Sequence, residues 1–165
     1  MIEEYLKVLE LGYLEVTFAF EGLSDENVWK RPADGLLSIG EQAGHIAYWE
    51  AVRLAGDDKL ESDGTKGDLS RCRVSSPLID HRFRYYSATI PTPPSPEHLS
   101  MTAQQVCREL VRVHEASVAD FRGRKPELTT DDDTEFLRYL AFHVAYHTGQ
   151  MYTVRHLLGD TTTDN

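Results

Sequence analysis

The chain has too few basic residues to hold a phosphate backbone. Its 17 Lys and Arg stand against 27 Asp and Glu, a net charge of −10 over 165 residues, with no local Lys/Arg cluster to offset it. Such a field repels nucleic acid. Cysteine is scarce too: Cys72 and Cys107 form neither a CxxC pair nor a disulfide framework, so reduced thiols in a cytoplasmic setting are expected. Long apolar runs are missing. No stretch suits a bilayer, and the amphipathic, acidic start MIEEYLKVLEL lacks the basic flank and apolar run of a signal peptide. Neither an internal repeat nor a compositional break marks a second domain. The expectation is one domain over residues 1–159 with a frayed tail at 160–165, without membrane or nucleic-acid partners.

What is present is helical periodicity. Ile2, Leu6, Leu9, Tyr13, Val16 and Phe20 follow steps of three and four, an apolar stripe on a first long helix. Ser24 before DENVWK predicts a short capped turn that Pro32 stops. Ser38 and Glu41 make an S-x-x-E capping box that opens a second helix. In it Ile39, Ala43 and Ile46 form one row and Gln42, His45, Trp49 and Val52 the next, with Gly56 and two aspartates as its end. A third helix follows Ser100 with Ala103, Val106, Leu110, Val113 and Ser117 inward, ended by Arg122–Pro126. The acidic run Asp131–Asp133 suits the start of a fourth. Its stripe is the most regular of all: Leu137, Leu140, Val144, His147, Met151, Val154, Leu158. Four amphipathic helices without convincing strands predict an all-α four-helix bundle.

Between helices 2 and 3 lies a long irregular crossover, Leu60 to Leu99, in which PTPPSP holds four of the seven prolines. Loops of this length are uncommon in compact domains and are often functional. It can serve as the roof of a pocket or as a plain connection, and HRFRYY within it suits a strand or a short helical turn.

Chemistry gathers on the histidines. His143 and His147 stand four residues apart in FHVAYHTGQMY, one face of the fourth helix. His147 replaces an apolar residue on the core stripe, where an imidazole needs partners for its ring nitrogens: a neighbour such as Tyr48 or Gln150, or a metal. His45 lies on an inward edge of helix 2. Three imidazoles from two helices would give a divalent ion three ligands and an open position, the arrangement of a reactive site. Gly44 and Gly149 beside the histidines mark either tight helix packing or room for a ligand. Glu41 is a candidate fourth ligand, orienting group or base, although its capping role competes. Tyr48, Trp49, Tyr146 and Gln150 are candidate pocket residues. His81, His98, His114 and His156 are read as surface or rim positions, and Glu50 as facing solvent.

On SIGEQAGHIAYWE and FHVAYHTGQM, with the helix order and spacing between them, the chain resembles the DinB-like superfamily over nearly its whole length. The resemblance implies a four-helix bundle, often a homodimer, in which His45, His143 and His147 bind a divalent metal, nickel or zinc. It implies no DNA-handling activity. Characterised relatives transfer low-molecular-weight thiols such as bacillithiol or mycothiol to electrophiles, or isomerise a substrate with thiol assistance. The expected function is thus a metal-dependent thiol S-transferase acting on a small molecule. Metal-assisted hydrolysis and a non-enzymatic metal- or ligand-binding bundle are the alternatives.

Overall fold

In a computed structural model, which describes residues 2–55, 69, 72–85, 92–123 and 131–160, the periodic stripes become four long helices. The first, α1 (Ile2–Phe20), buries Leu6, Leu9, Tyr13, Val16 and Phe20 as its spacing requires. After the one-turn α2 (Asp25–Val28), which Ser24 caps through backbone geometry without a side-chain bond, comes α3 (Ile39–Leu54). The one-turn α4 (Pro96–Leu99) precedes α5 (Ala103–Gly123) and α6 (Asp131–Leu157). A 3-10 turn at His81–Phe83 resolves the ambiguity of HRFRYY in favour of helix. No strand occurs among the described residues, so the fold is an all-α bundle. No helix there is long and apolar enough to cross a membrane.

The S-x-x-E signal is realised in full. The Glu41 backbone N–H donates to Ser38 Oγ at 3.2 Å, and the Ser38 N–H donates to Glu41 Oε2 at 2.8 Å. Each side chain thereby satisfies a backbone donor that the helix start leaves open.

Helix α3 is the centre of the assembly. It packs against α5, α6, α2 and the His81–Phe83 turn, and every one of its residues except Arg53 is buried. The two-row reading of this helix was therefore too narrow, because amphipathic spacing cannot foresee that a distant loop will cover the remaining face. Glu50, expected at the solvent, is fully buried; His98 and His114, read as surface positions, are 2% and 6% exposed. His98 holds its place by bonding Ser95 and, through Nε2, the Pro77 carbonyl at 2.7 Å. On the opposite flank α1 lies mainly along α6.

Asp160 is the first residue of the stretch expected to be a frayed tail. Asp160 is anchored: its Oδ2 accepts from the Ser24 N–H at 3.0 Å and from Asn27 Nδ2 at 3.1 Å, and Oδ1 accepts from Arg155. Arg155, 1% exposed, also donates to the Ala19 and Glu21 carbonyls, tying the ends of α1 and α6 together. The predicted end of helix 2 at Gly56, residues 60–68, 70, 71 and 86–91 of the crossover, most of the Arg122–Pro126 stop and tail residues 161–165 lie outside the described residues.

Candidate metal centre

His143 and His147 project from one face of α6 toward α3, where His45 meets them. Ring centroids are 5.0 Å apart for His45 and His143, 4.7 Å for His45 and His147, and 4.5 Å for His143 and His147. Each ring offers a nitrogen within 4.8 Å of the others, so the three could hold a metal ion together.

The outward nitrogens of two rings are occupied. His45 Nδ1–H donates to the Phe83 carbonyl at 2.8 Å, and His147 Nδ1–H donates to Gln150 Oε1 at 2.8 Å. Gln150 in turn donates to the Tyr146 hydroxyl at 3.0 Å. With the protons held at Nδ1, the Nε2 lone pairs of His45 and His147 are left as potential ligands. His45 Nε2 and His143 Nε2 face each other at 3.2 Å. A tetrahedral ion with bonds of ~2.1 Å separates its ligand atoms by about 3.4 Å, so this approach suits two nitrogens sharing one ion. His143 Nδ1 is buried with no hydrogen-bond partner among the described residues.

Electrostatics keep the rings neutral. Burial, then the His147 charge, pushes His45 down to about 4, with Arg53 adding to the effect and the Phe83 carbonyl opposing it. Burial also pushes His143 down to about 2, helped by His45, His147 and Arg53. His147 is lowered by burial against the Gln150 bond. Neutral imidazole is the metal-binding form.

The strap 81–85 presses on this arrangement from outside. Trp49 donates its indole N–H to the Arg84 carbonyl at 2.8 Å, and Phe83 lies on Gly44, where a Cβ would sit 2.4 Å from the ring. Gly44 thus marks close packing. Gly149 meets nothing within 4 Å and marks open space. Tyr85 leans over His45 at 5.7 Å with φ of 24°, a left-handed conformation that costs a non-glycine residue about 1–3 kcal/mol.

The other sequence candidates divide. Tyr146, half exposed, lies 5.1 Å from the His147 ring, and Trp49 lies 6.5 Å from the His45 ring edge-on. Tyr48 turns instead to His81, its hydroxyl 3.2 Å from that ring's Nδ1. Glu41 is committed elsewhere. Besides the capping box it forms an ion pair with Arg31 and accepts from the Tyr85 hydroxyl at 3.3 Å. Burial works to raise the Glu41 carboxyl, but Arg31 and Ser38 outweigh it and hold it below the usual range.

Sequence reasoning missed several neighbours. Tyr139 stacks on His143 at 5.9 Å and stands one turn before it, a relation that helical spacing could have exposed. Arg53, two turns beyond His45, lies over the rings of Trp49 and Tyr139. The Phe83 carbonyl had no sequence signal, because every residue carries one.

A helical bundle whose core brings three histidine rings within reach of one another belongs to the class of proteins that could hold a metal ion there. The family model of the DinB superfamily matches residues 9–151, and the chain belongs to that superfamily. Comparison with curated proteins and with solved structures gives no match.

Proposed function

We propose that His45, His143 and His147 hold a divalent cation, zinc or nickel, and that the protein is a metal-dependent transferase of a low-molecular-weight thiol to a small electrophile. The observation that carries the reading is the 3.2 Å approach of two Nε2 atoms on rings that burial keeps neutral. A bound cation supplies charge that favours thiolate over thiol.

The chain's own groups have distinct tasks. The Phe83 carbonyl and Gln150 orient His45 and His147. Tyr139, Phe142 and Tyr146, all exposed, follow one another along α6, the first pair tilted and the second stacked, and offer an apolar surface to an electrophile. The reaction type comes from the likeness to thiol-dependent transferases of the superfamily. Hydrolysis finds less support, because Glu41, its candidate base, is bound to Arg31 and Ser38.

The test is elemental analysis of untagged protein beside the His45→Ala, His143→Ala and His147→Ala variants, with turnover screened with and without added thiols. The expected outcome is near-stoichiometric metal in the wild type and its loss in every variant. Metal retained by the His147→Ala variant removes the mechanism; turnover independent of thiol moves the reading to hydrolysis.

A further inference from the structure

A second cluster of ionisable side chains lies away from the three histidines. Glu50 of α3, fully buried, accepts the Tyr13 O–H at Oε2 (2.7 Å) and faces His114 Nδ1 at Oε1 (2.7 Å). Tyr13 and His114 also stack, with ring centroids 3.8 Å apart. Burial, then the Glu50 charge and bond, holds the Tyr13 phenol well above its usual range, so it stays a donor. A carboxylate with two donors is satisfied, which accounts for its tolerance in a core.

The cluster does not end there. Tyr13 and His114 line a cleft of about 540 Å³ between α1 and α5, a volume typical of small-molecule sites. The His114 Nδ1 edge is turned to Glu50. Among the described residues nothing bonds Nε2, and that atom is not among the sealed polar atoms without a partner, so it opens on the cleft. Leu14, Val111, Val118 and Ala119 supply apolar walls, and Glu10 and Glu115 stand on the lining. The cation there, Arg122, is already paired with Glu3 at 2.8 Å and Glu10 at 3.5 Å.

We infer that the α1–α5 cleft binds a small organic ammonium compound, with its apolar body on those walls and its N–H donating to His114 Nε2. Three facts converge on this chemistry. The floor offers the His114 Nε2 lone pair as an acceptor, because the Nδ1–H is held by Glu50. The lining charge is acidic once Arg122 is paired, and the whole chain is negative. A carboxylate ligand would meet Glu115 without a free cation to offset it.

The test is calorimetric titration of the full chain with benzylammonium, and with benzoate in parallel. Benzylammonium is expected to bind at least about tenfold more tightly than benzoate. Ala119→Trp, which fills the cleft from an exposed position, should weaken it by about tenfold or more, and His114→Gln likewise. His147→Ala should leave it unchanged. Absence of binding, equal binding of benzoate, or an unaltered affinity in the Ala119→Trp variant overturns the assignment. Loss in the His147→Ala variant moves the amine to the histidine cluster and overturns it too. Should Ala119→Trp instead convert a dimer to a monomer in sedimentation, with no amine bound by the wild type, the cleft belongs to a second copy of the chain.

Discussion

Helix α3 carries one member of each buried cluster, His45 on one face and Glu50 five residues later, roughly 140° further around the helix. The two regions solve the same problem in opposite ways. In the Tyr13–Glu50–His114 cluster the imidazole is matched to a carboxylate, and buried charge is compensated by donors of the chain itself. In the His45–His143–His147 cluster no carboxylate is offered among the described residues. Nδ1 of two rings is tied outward to a carbonyl and an amide, while nitrogens of all three converge. The first satisfies its buried carboxylate from within the chain. The second concentrates lone pairs and leaves His143 Nδ1 without a partner among the described residues.

Glu50→Ala leaves the Tyr13 hydroxyl and the His114 N–H without their buried acceptor, each costing about 1–3 kcal/mol. Urea unfolding should show a loss of several kcal/mol, with metal content of the folded fraction unchanged. Gly44→Ala acts on the other cluster. Its Cβ cannot share space with Phe83, so the ring shifts and takes with it the carbonyl that holds His45. Metal affinity should fall about 10–100-fold, the usual effect of losing such an orienting bond, with about 1–3 kcal/mol of overpacking.

Acidification sharpens the comparison without mutation. Because the folded-state His45 value lies at about 4, below the 6.5 of an ordinary histidine, the unfolded chain takes up protons first as pH falls. The stability linked to this ring is complete above about pH 6.5 and is lost progressively toward pH 4. His143 and His147 are shifted in the same direction. Thermal unfolding of metal-free protein should therefore show Tm falling across that window, and His45→Ala should flatten the slope. The smallest effect is expected at Gly149. Open space around it lets Gly149→Ala stabilise α6 by about 0.5–1 kcal/mol through helix propensity alone, with metal affinity unchanged.

Much of the bundle was legible because helical periods are local. The stripe from Leu137 to Val154 is buried as spaced, and the capping box at Ser38 and Glu41 forms as its chemistry requires. Burial of Glu50, His98 and His114 was not legible. Each is polar, so pattern reading assigns it to the surface, and the partner that buries it lies far along the chain: Tyr13 and His114 for Glu50, Glu50 for His114, and the Pro77 carbonyl for His98. Glu41 shows the limit from the other side. Its nearness to His45 along the helix suggested a role at the metal, whereas Arg31 and Tyr85 claim its oxygens.

From the residues alone came the helices, their inward faces and the placing of His143 one turn before His147, since each depends on neighbours within a few positions. Tertiary structure decided the rest. It set the distance from His45 to the α6 pair, turned Phe83 so that its carbonyl captures one ring, and buried Glu50 between a phenol and an imidazole. Those outcomes depend on packing between distant segments, where shape and hydrogen-bond satisfaction act jointly and no short window of sequence contains both partners.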